Sequence, residues 1–448
     1  MYKRKIQSTI KENLTNNSNK TLIIEGARQI GKSYIIRHEG KSCFKNFIEI
    51  NMLEDSHGEK LFAEVKSTTD FYLKLSTVAG EKLGNRENTL VFIDEIQAYP
   101  ELLTLLKFLT DENKFKYIVS GSLLGITLRK TLSIPGGRIQ IVDMYQLDFE
   151  EFLWANGVGE SAIEHLKAQF LSEQSLDESM HNVFLDFFKK YLLVGGLPDA
   201  VKAYLETHNI VNVRNIQNEV HRLYKEDASQ YDNENSLVIR KIYDLIPSYM
   251  ENRKKRVFYQ DFEGKRWKRS SDYMEEFEYL TNSGIAIEVH AVSNPHFPML
   301  ESMQKNLVKL YLNDVGILTS LLYHNNIKPI LDDEKCINLG SVYESVVASE
   351  LKAHGFNPSY YDNKTNGEVD FLIDDYSTLS TVPMEIKSGK DYSTHRALDK
   401  FLANPDYNIK KAYVLYNGRE VKQAKGITYL PIYYIMFFSP CSNENLIF

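Results

Sequence analysis

Two short runs carry the chemistry that this chain of 448 residues could perform. The first is Gly26-Ala27-Arg28-Gln29-Ile30-Gly31-Lys32-Ser33. Glycine lets the backbone curl until successive N–H groups face an anion, and a helix opening behind the loop adds its positive dipole end. At this spacing Lys32 reaches the β- and γ-phosphates of a nucleoside triphosphate, and the Ser33 hydroxyl binds Mg²⁺. The second run is Leu90-Val91-Phe92-Ile93-Asp94-Glu95. Its apolar residues read as a fully buried strand, with both acids at the carboxyl end, where open α/β sheets gather their ligands. Asp94 is expected on the Mg²⁺ side. Glu95 is expected to polarise the water that attacks the γ-phosphate, so hydrolysis fits better than transfer to a second substrate. Taken singly, the runs could be a glycine turn and a solvated strand end. Strand, loop, helix and acidic strand in that order argue against this.

The elements needed to position these residues are legible nearby. Leu22-Ile23-Ile24 predicts a buried strand before the loop, and Phe47 to Asn51 an intervening strand followed by a helical stretch through Leu83. Lys116 to Ser120 predicts a further strand ending in Ser120-Gly121-Ser122, and Pro135-Gly136-Gly137-Arg138 leads into a strand from Ile139 to Met144. From Asp148 to about Arg222 the pattern is helical, with Phe149, Phe152 and Leu153 on one face. Gly195-Gly196-Leu197-Pro198 breaks it, as a helix–helix turn or as a cover over the nucleotide.

An extra strand between the phosphate loop and the acidic strand, with Glu beside Asp, resembles the ATPase branch that includes AAA+ proteins. The set GARQIGKS, FIDEIQ, SGS, GGR, FEEFL and GGLPDA resembles a bacterial and archaeal family of AAA+-type ATPases with an additional carboxy-terminal domain. The resemblance covers nearly the whole chain. It implies ATP and Mg²⁺ as ligands and a homo-oligomer as one form of the protein. It also implies that Ser120 or Ser122 senses the γ-phosphate, a Ser-Gly turn being the other reading. Arg138 is then the arginine that steadies transition-state charge, from the same or a neighbouring subunit, unless it is simply a surface residue after a glycine turn.

Hydrophobic residues make up 43% and charged residues 25%, which leaves ample material for buried cores and excludes global disorder. A net charge of -7 excludes a uniformly basic nucleic-acid coat, though not a local basic patch. Cys43, Cys336 and Cys441 show no paired spacing and read as buried reduced thiols. No two of the 11 histidines have H-x-x-x-H spacing, so no structural zinc site is expected. The amino terminus lacks the apolar segment of a leader, and the apolar run from Tyr429 to Phe438 is too short for a membrane span and predicts a terminal strand. A cytoplasmic location is expected.

Residues 252–269 concentrate Arg253, Lys254, Lys255, Arg256, Lys265, Arg266, Lys268 and Arg269 against Asp261 and Glu263. Ser270-Ser271 can cap a helix through Leu280, and Gly284 precedes an alternating strand from Ile285 to Val289, an order that resembles a winged helix. Basic side chains beside Tyr259 and Trp267 suit phosphate contact and base stacking on DNA or RNA. A solvated face or domain-docking patch is the plainer reading. Further on, Glu368 to Ile373 and Val382 to Lys387 read as neighbouring strands, with Glu385 and Lys387 on one face and Asp370 opposite them. This spacing resembles the PD-(D/E)XK nuclease core. There, Asp370 and Glu385 would hold a metal, Lys387 would orient the attacking water, and Glu344 on a helix would add another acid.

The expected architecture is α/β: a P-loop ATPase with a parallel sheet (1–146), a helical lid or linker (147–228), a winged-helix-like region (229–325) and a nuclease-like domain (326–448). The leading expectation is Mg²⁺-dependent ATP hydrolysis coupled to a carboxy-terminal half that engages nucleic acid and could cleave it. The alternative is a nucleotide-gated protein-interaction switch whose E-x-K cluster is an ion-pair network.

Overall fold

The computed structural model describes residues 2–16, 19–54, 61–122, 137–231, 236–252, 255–263, 270–332, 337–389 and 392–440. Expectations for Pro135, Gly136, Arg253, Lys254, Lys265, Arg266, Trp267, Lys268, Arg269, Cys336 and Cys441 lie outside them. The chain forms two compact units, Lys3–Gln146 with Asn282–Ile285, and Leu147–Thr281 with Ala286–Phe448.

The first unit is built on β1 (Thr21–Glu25), β2 (Asn46–Asn51), β3 (Thr89–Asp94), β4 (Lys116–Gly121) and β5 (Ile139–Asp143). All adjacent pairs are parallel, and the order is β2-β3-β4-β1-β5. Every residue of β3 and β4 is buried, as continuous apolar strands require when helices cover both faces. One core joins Ile48, Ile50, Val91, Ile93 and Val119 to Phe71 and Leu75 of the helix Thr68–Ala79 and to Leu102, Leu106 and Leu109 of the helix Glu101–Glu112. The strand that intervenes in sequence is not the one that intervenes in space. β2 lies at the sheet edge, and β4 stands between the strand before the phosphate loop and the acidic strand.

The second unit begins with the helix Phe149–Ala155, whose Asp148 and Glu151 form a reciprocal capping box. Phe149, Phe152 and Leu153 are fully buried, on the face that the pattern predicts. The Gly195-Gly196 break separates the helices Glu178–Val194 and Pro198–Thr207. It is a packing device within this unit: a side chain at Gly196 would meet Leu147 O at 2.0 Å, while Gly196 N–H donates to Asp314 Oδ2 at 2.7 Å. Burial pushes the Asp314 carboxyl up to about 6, against the backbone N–H groups of Gly196 and Ile317 that favour its ionised form.

The remaining strands form a single eight-stranded sheet. They are β6 (Ala286–Val292), β7 (Met303–Leu312), β8 (Ser359–Asn363), β9 (Gly367–Asp375), β10 (Ser380–Lys387), β11 (Tyr413–Tyr416), β12 (Lys422–Ala424) and β13 (Ile427–Pro431), in the order β12-β13-β11-β10-β9-β8-β6-β7. The hairpin β6–β7, expected as part of a winged-helix-like region, therefore extends the carboxy-terminal sheet through the parallel pair β6–β8. Tyr361 and Val292, both fully buried in one core cluster, show why the sheet continues across that joint. The terminal apolar run is strand only as far as Pro431, and Ile432–Phe437 continues as a 3₁₀ helix. Cys43 is an exposed free thiol at the end of the helix Lys32–Cys43, not a buried one. Among the described residues no helix is long and apolar enough to cross a membrane.

Candidate functional site

The loop 26–33 joins the carboxyl end of β1 to the helix Lys32–Cys43. Gly26 has φ 143° and Gly31 φ 93°, both in the region that favours glycine. At Gly26 space compounds the constraint, since a Cβ there would meet Met144 O at 2.1 Å. Lys32 Nζ folds back over the loop and donates to Gly26 O at 2.8 Å and Ala27 O at 2.7 Å. Burial lowers the Lys32 ammonium to about 8, while the nearby carboxylates of Glu95 and Asp94 pull it the other way. Ser33, half-buried, opens the first turn of the helix, and Gln29 (φ 63°) and Ile30 complete the curl. Arg4, which spacing alone did not single out, braces this loop: it is buried and donates to Ile30 O at 3.2 Å and to Tyr145 O at 2.6 Å.

Asp94 ends β3, buried, and accepts hydrogen bonds from Ser120 Oγ and, at 3.1 Å, from Glu95 N–H, both on Oδ1. Ser120 ends β4 beside it because β4 is the spatial neighbour of β3. Ser122 bonds instead to Glu95, its Oγ lying 3.3 Å from Oε2. The two serines therefore serve different acids. The described site gathers the buried Lys32, a curled loop of backbone N–H groups, and two consecutive acids at the end of β3.

Arg138 is elsewhere. It precedes β5, its carbonyl accepts from Thr21 N–H at 3.0 Å, and its Nε pairs with Asp111 Oδ1 at 2.5 Å. Because β1 and β5 are parallel, Arg138 sits at the amino end of the sheet, a strand's length from the loop that follows the carboxyl end of β1. The expectation that Arg138 serves the phosphate site of its own chain is corrected accordingly.

A second cluster lies in the carboxy-terminal sheet. The helix Leu339–Ala353, antiparallel β8, β9 and β10, the helix Arg396–Leu402 and then β11, parallel to β10, follow one another in sequence. Asp370 on β9 accepts from Ile386 N–H of β10 at 2.8 Å. Lys387 Nζ donates to Glu385 Oε1 at 2.9 Å, and Glu385 Oε2 is buried without a hydrogen-bond partner. Glu344, from the helix, pairs with Lys255 and lies 3.9 Å from the buried Lys309, which bonds Glu368 at 2.5 Å. Burial, then the charges of Glu385 and Glu344, holds the Asp370 carboxyl well above the ordinary range. Burial raises Glu385 as well, against Lys387. Burial would also raise Glu344, but Lys255 and Lys309 hold it below its usual value. Among the described residues no three His, Cys, Asp or Glu side chains are grouped so as to hold a metal.

The described part of the basic segment also turns inward. Lys255 joins this cluster and Arg256 pairs with Asp362. Tyr259 stacks on Tyr273 with centroids 6.1 Å apart and meets Phe262 and Phe277 edge-on, so it packs in an aromatic cluster instead of offering a free face for a base. The charge pattern alone could not reveal these carboxylate partners, which lie far off in sequence.

Residues 18–153 match a family model described as an AAA domain. Residues 185–328 and 339–435 match two domains of unknown function, DUF8612 and DUF4143. Among solved structures, the chain is similar to the Walker-type ATPase PABY2304 of Pyrococcus abyssi, at 16% identity over 72% of this chain and 96% of that one, with a TM-score of 0.45. It is similar to the Hsp104–ADP complex of S. cerevisiae at 12% identity, over 62% of this chain and 37% of that one, with a TM-score of 0.28. Hsp104 in a closed state with ATPγS and FITC-casein gives 16% identity, over 54% of this chain and 45% of that one, with a TM-score of 0.30. No curated protein matches. The amino-terminal unit, with its parallel sheet and loop 26–33, is a P-loop ATPase domain of the AAA type.

Proposed function

We propose that this chain hydrolyses ATP with Mg²⁺ at the site formed by residues 26–33, Asp94, Glu95 and Ser120. The observation that carries this reading is Lys32, buried over the loop carbonyls within the field of both acids. Backbone N–H groups of the loop take the phosphates, and Lys32 exchanges its two carbonyl bonds for the terminal phosphates. Ser33 and Asp94 would hold Mg²⁺, which when bound neutralises phosphate charge. Glu95 takes the proton of the attacking water. Steady-state ATP hydrolysis by the intact chain, with Mg²⁺ and with excess chelator, tests the reading. No hydrolysis with Mg²⁺ present would overturn it.

The lowered Lys32 value gives this binding a pH signature. Below about pH 8 the free ammonium is charged and ready. Above it the lysine must regain a proton to meet the phosphates, so ATP affinity falls as pH rises, by at most about tenfold per unit. Calorimetry at pH 9 in buffers of different ionisation heat should record proton uptake on binding. Equal heats in all buffers would contradict this.

For the carboxy-terminal half, one observation favours the protein-interaction switch over cleavage. Lysines already balance the acids: Lys255 and Lys309 on Glu344, Lys309 on Glu368, and Lys387 on Glu385. The order of helices and strands supports a nuclease-like architecture, while the donor set fits a metal poorly, because lysines pair with Glu344 and Glu385 and no three of the described acids are grouped to hold one. The nucleotide state of the first unit then governs what the second unit binds. Intact protein with Mg²⁺ or Mn²⁺ should leave DNA and RNA uncut. Cleavage that each of Asp370→Ala, Glu385→Ala and Lys387→Ala removes, with ATP hydrolysis intact, would instead establish a nuclease.

A further inference from the structure

We propose that Gln97 and Ser122 are positioning residues for the water-activating carboxylate, an inference that rests on the role proposed for Glu95. Glu95 adopts φ 55° and ψ 44°, a left-handed conformation that costs energy in a residue with a Cβ. It leads into the 3₁₀ turn Ile96–Ala98, which carries Gln97 back onto it. Gln97 Nε2 donates to Glu95 Oε2. Ser122 Oγ lies 3.3 Å from the same oxygen and 3.4 Å from Gln97 Nε2. Arg28 Nε, from the phosphate loop, donates to Ser122 Oγ at 3.4 Å. Loop, strand end and acid are thereby tied into one set through hydrogen bonds that converge on Ser122.

Both bonds to the Glu95 carboxylate fall on Oε2, so Oε1 is the oxygen left to accept a proton from water. A hydrogen bond fixes direction as well as energy, and a general base must lie within reach of one particular proton. Gln97 Oε1 is buried without a hydrogen-bond partner. The amide is thus held by its nitrogen alone, and the unmet oxygen is a cost that the local arrangement carries. Gln97 and Ser122 act on the reaction only through Glu95, which separates them from Ser120 and its bond to Asp94.

Measuring kcat, KM and ATP affinity of the full chain as parent, Gln97→Met, Gln97→Glu, Ser122→Ala, Glu95→Gln and the Glu95→Gln/Gln97→Met pair tests this. Gln97→Met keeps the volume and removes the donor, so kcat should fall about 10- to 100-fold with KM within about twofold. Gln97→Glu keeps the shape, sets a carboxylate against a carboxylate, and should fall at least as far. Ser122→Ala should fall in the same direction. In the Glu95→Gln background, Gln97→Met should cause no further loss, since a residue acting through Glu95 has nothing left to position. Unchanged or raised kcat in Gln97→Met, or the same fold loss repeated in the Glu95→Gln background, would overturn the proposal. Hydrolysis at the parent rate by Glu95→Gln would sink the reading of Glu95 itself. A dead Glu95→Gln beside an unimpaired Gln97→Met would sink only this inference.

Discussion

Glu95→Gln should bind ATP as the parent does and lose hydrolysis by roughly 10²- to 10⁴-fold, the usual worth of a positioned general base. Glutamine keeps the size of Glu95 but cannot take a proton from water. Lys32→Ala should fail one step earlier. It deletes the buried ammonium whose partners in the free protein are Gly26 O and Ala27 O, and with it the cation that would meet the terminal phosphates. Equilibrium ATP binding and single-turnover hydrolysis, measured side by side, separate the two losses. Parental turnover in Glu95→Gln, or parental ATP affinity in Lys32→Ala, would mean that the roles are wrongly assigned.

Lys309→Met should destabilise the second unit by about 3–5 kcal/mol, the cost of leaving buried carboxylates without their partner. Lys309 is fully buried on β7, bonded to Glu368 and near Glu344, and lies 4.6 Å from the centroid of the Tyr360 ring. Burial works against its charge, but Glu344, Glu368 and Asp370 hold its ammonium above the ordinary lysine range. Denaturant unfolding followed on the transition of this unit gives the magnitude. Mg²⁺ should not restore the lost stability, because no three of the described acids are grouped so as to hold a metal. Full recovery with Mg²⁺ would show that the acids form a cation site after all.

What could be read in advance was local. Gly26, Gly31, Lys32 and Ser33 lie within one loop, and Asp94 and Glu95 are adjacent, so their spacing survives without knowledge of the fold. What escaped depended on pairing across distance in sequence. Whether Ser120 or Ser122 meets Asp94 is decided by β4 lying against β3, and a string of residues does not state that neighbourhood. Arg4 reaches a carbonyl 141 positions away. The resemblance placed Arg138 in the site, but the parallel pairing of β5 with β1 sends it to the other end of the sheet. Lys255 looked like part of a solvated basic run, and its carboxylate partner is 89 positions away. Gln97 closes the run FIDEIQ, but an amide in a short turn has no spacing that states a role.

The parallel pair β6–β8 also bears on modularity. A chain cut between Leu331 and Leu339 looks like a division between a hairpin with its following helices and an independent α/β module. It would instead strip β6 and β7 from one end of an eight-stranded sheet and leave the flank of β8, with the buried Tyr360 and Tyr361, open to water. A bare strand flank of this kind is a template for joining another chain. Either fragment would thus carry an adhesive edge that the intact polypeptide covers with its own backbone.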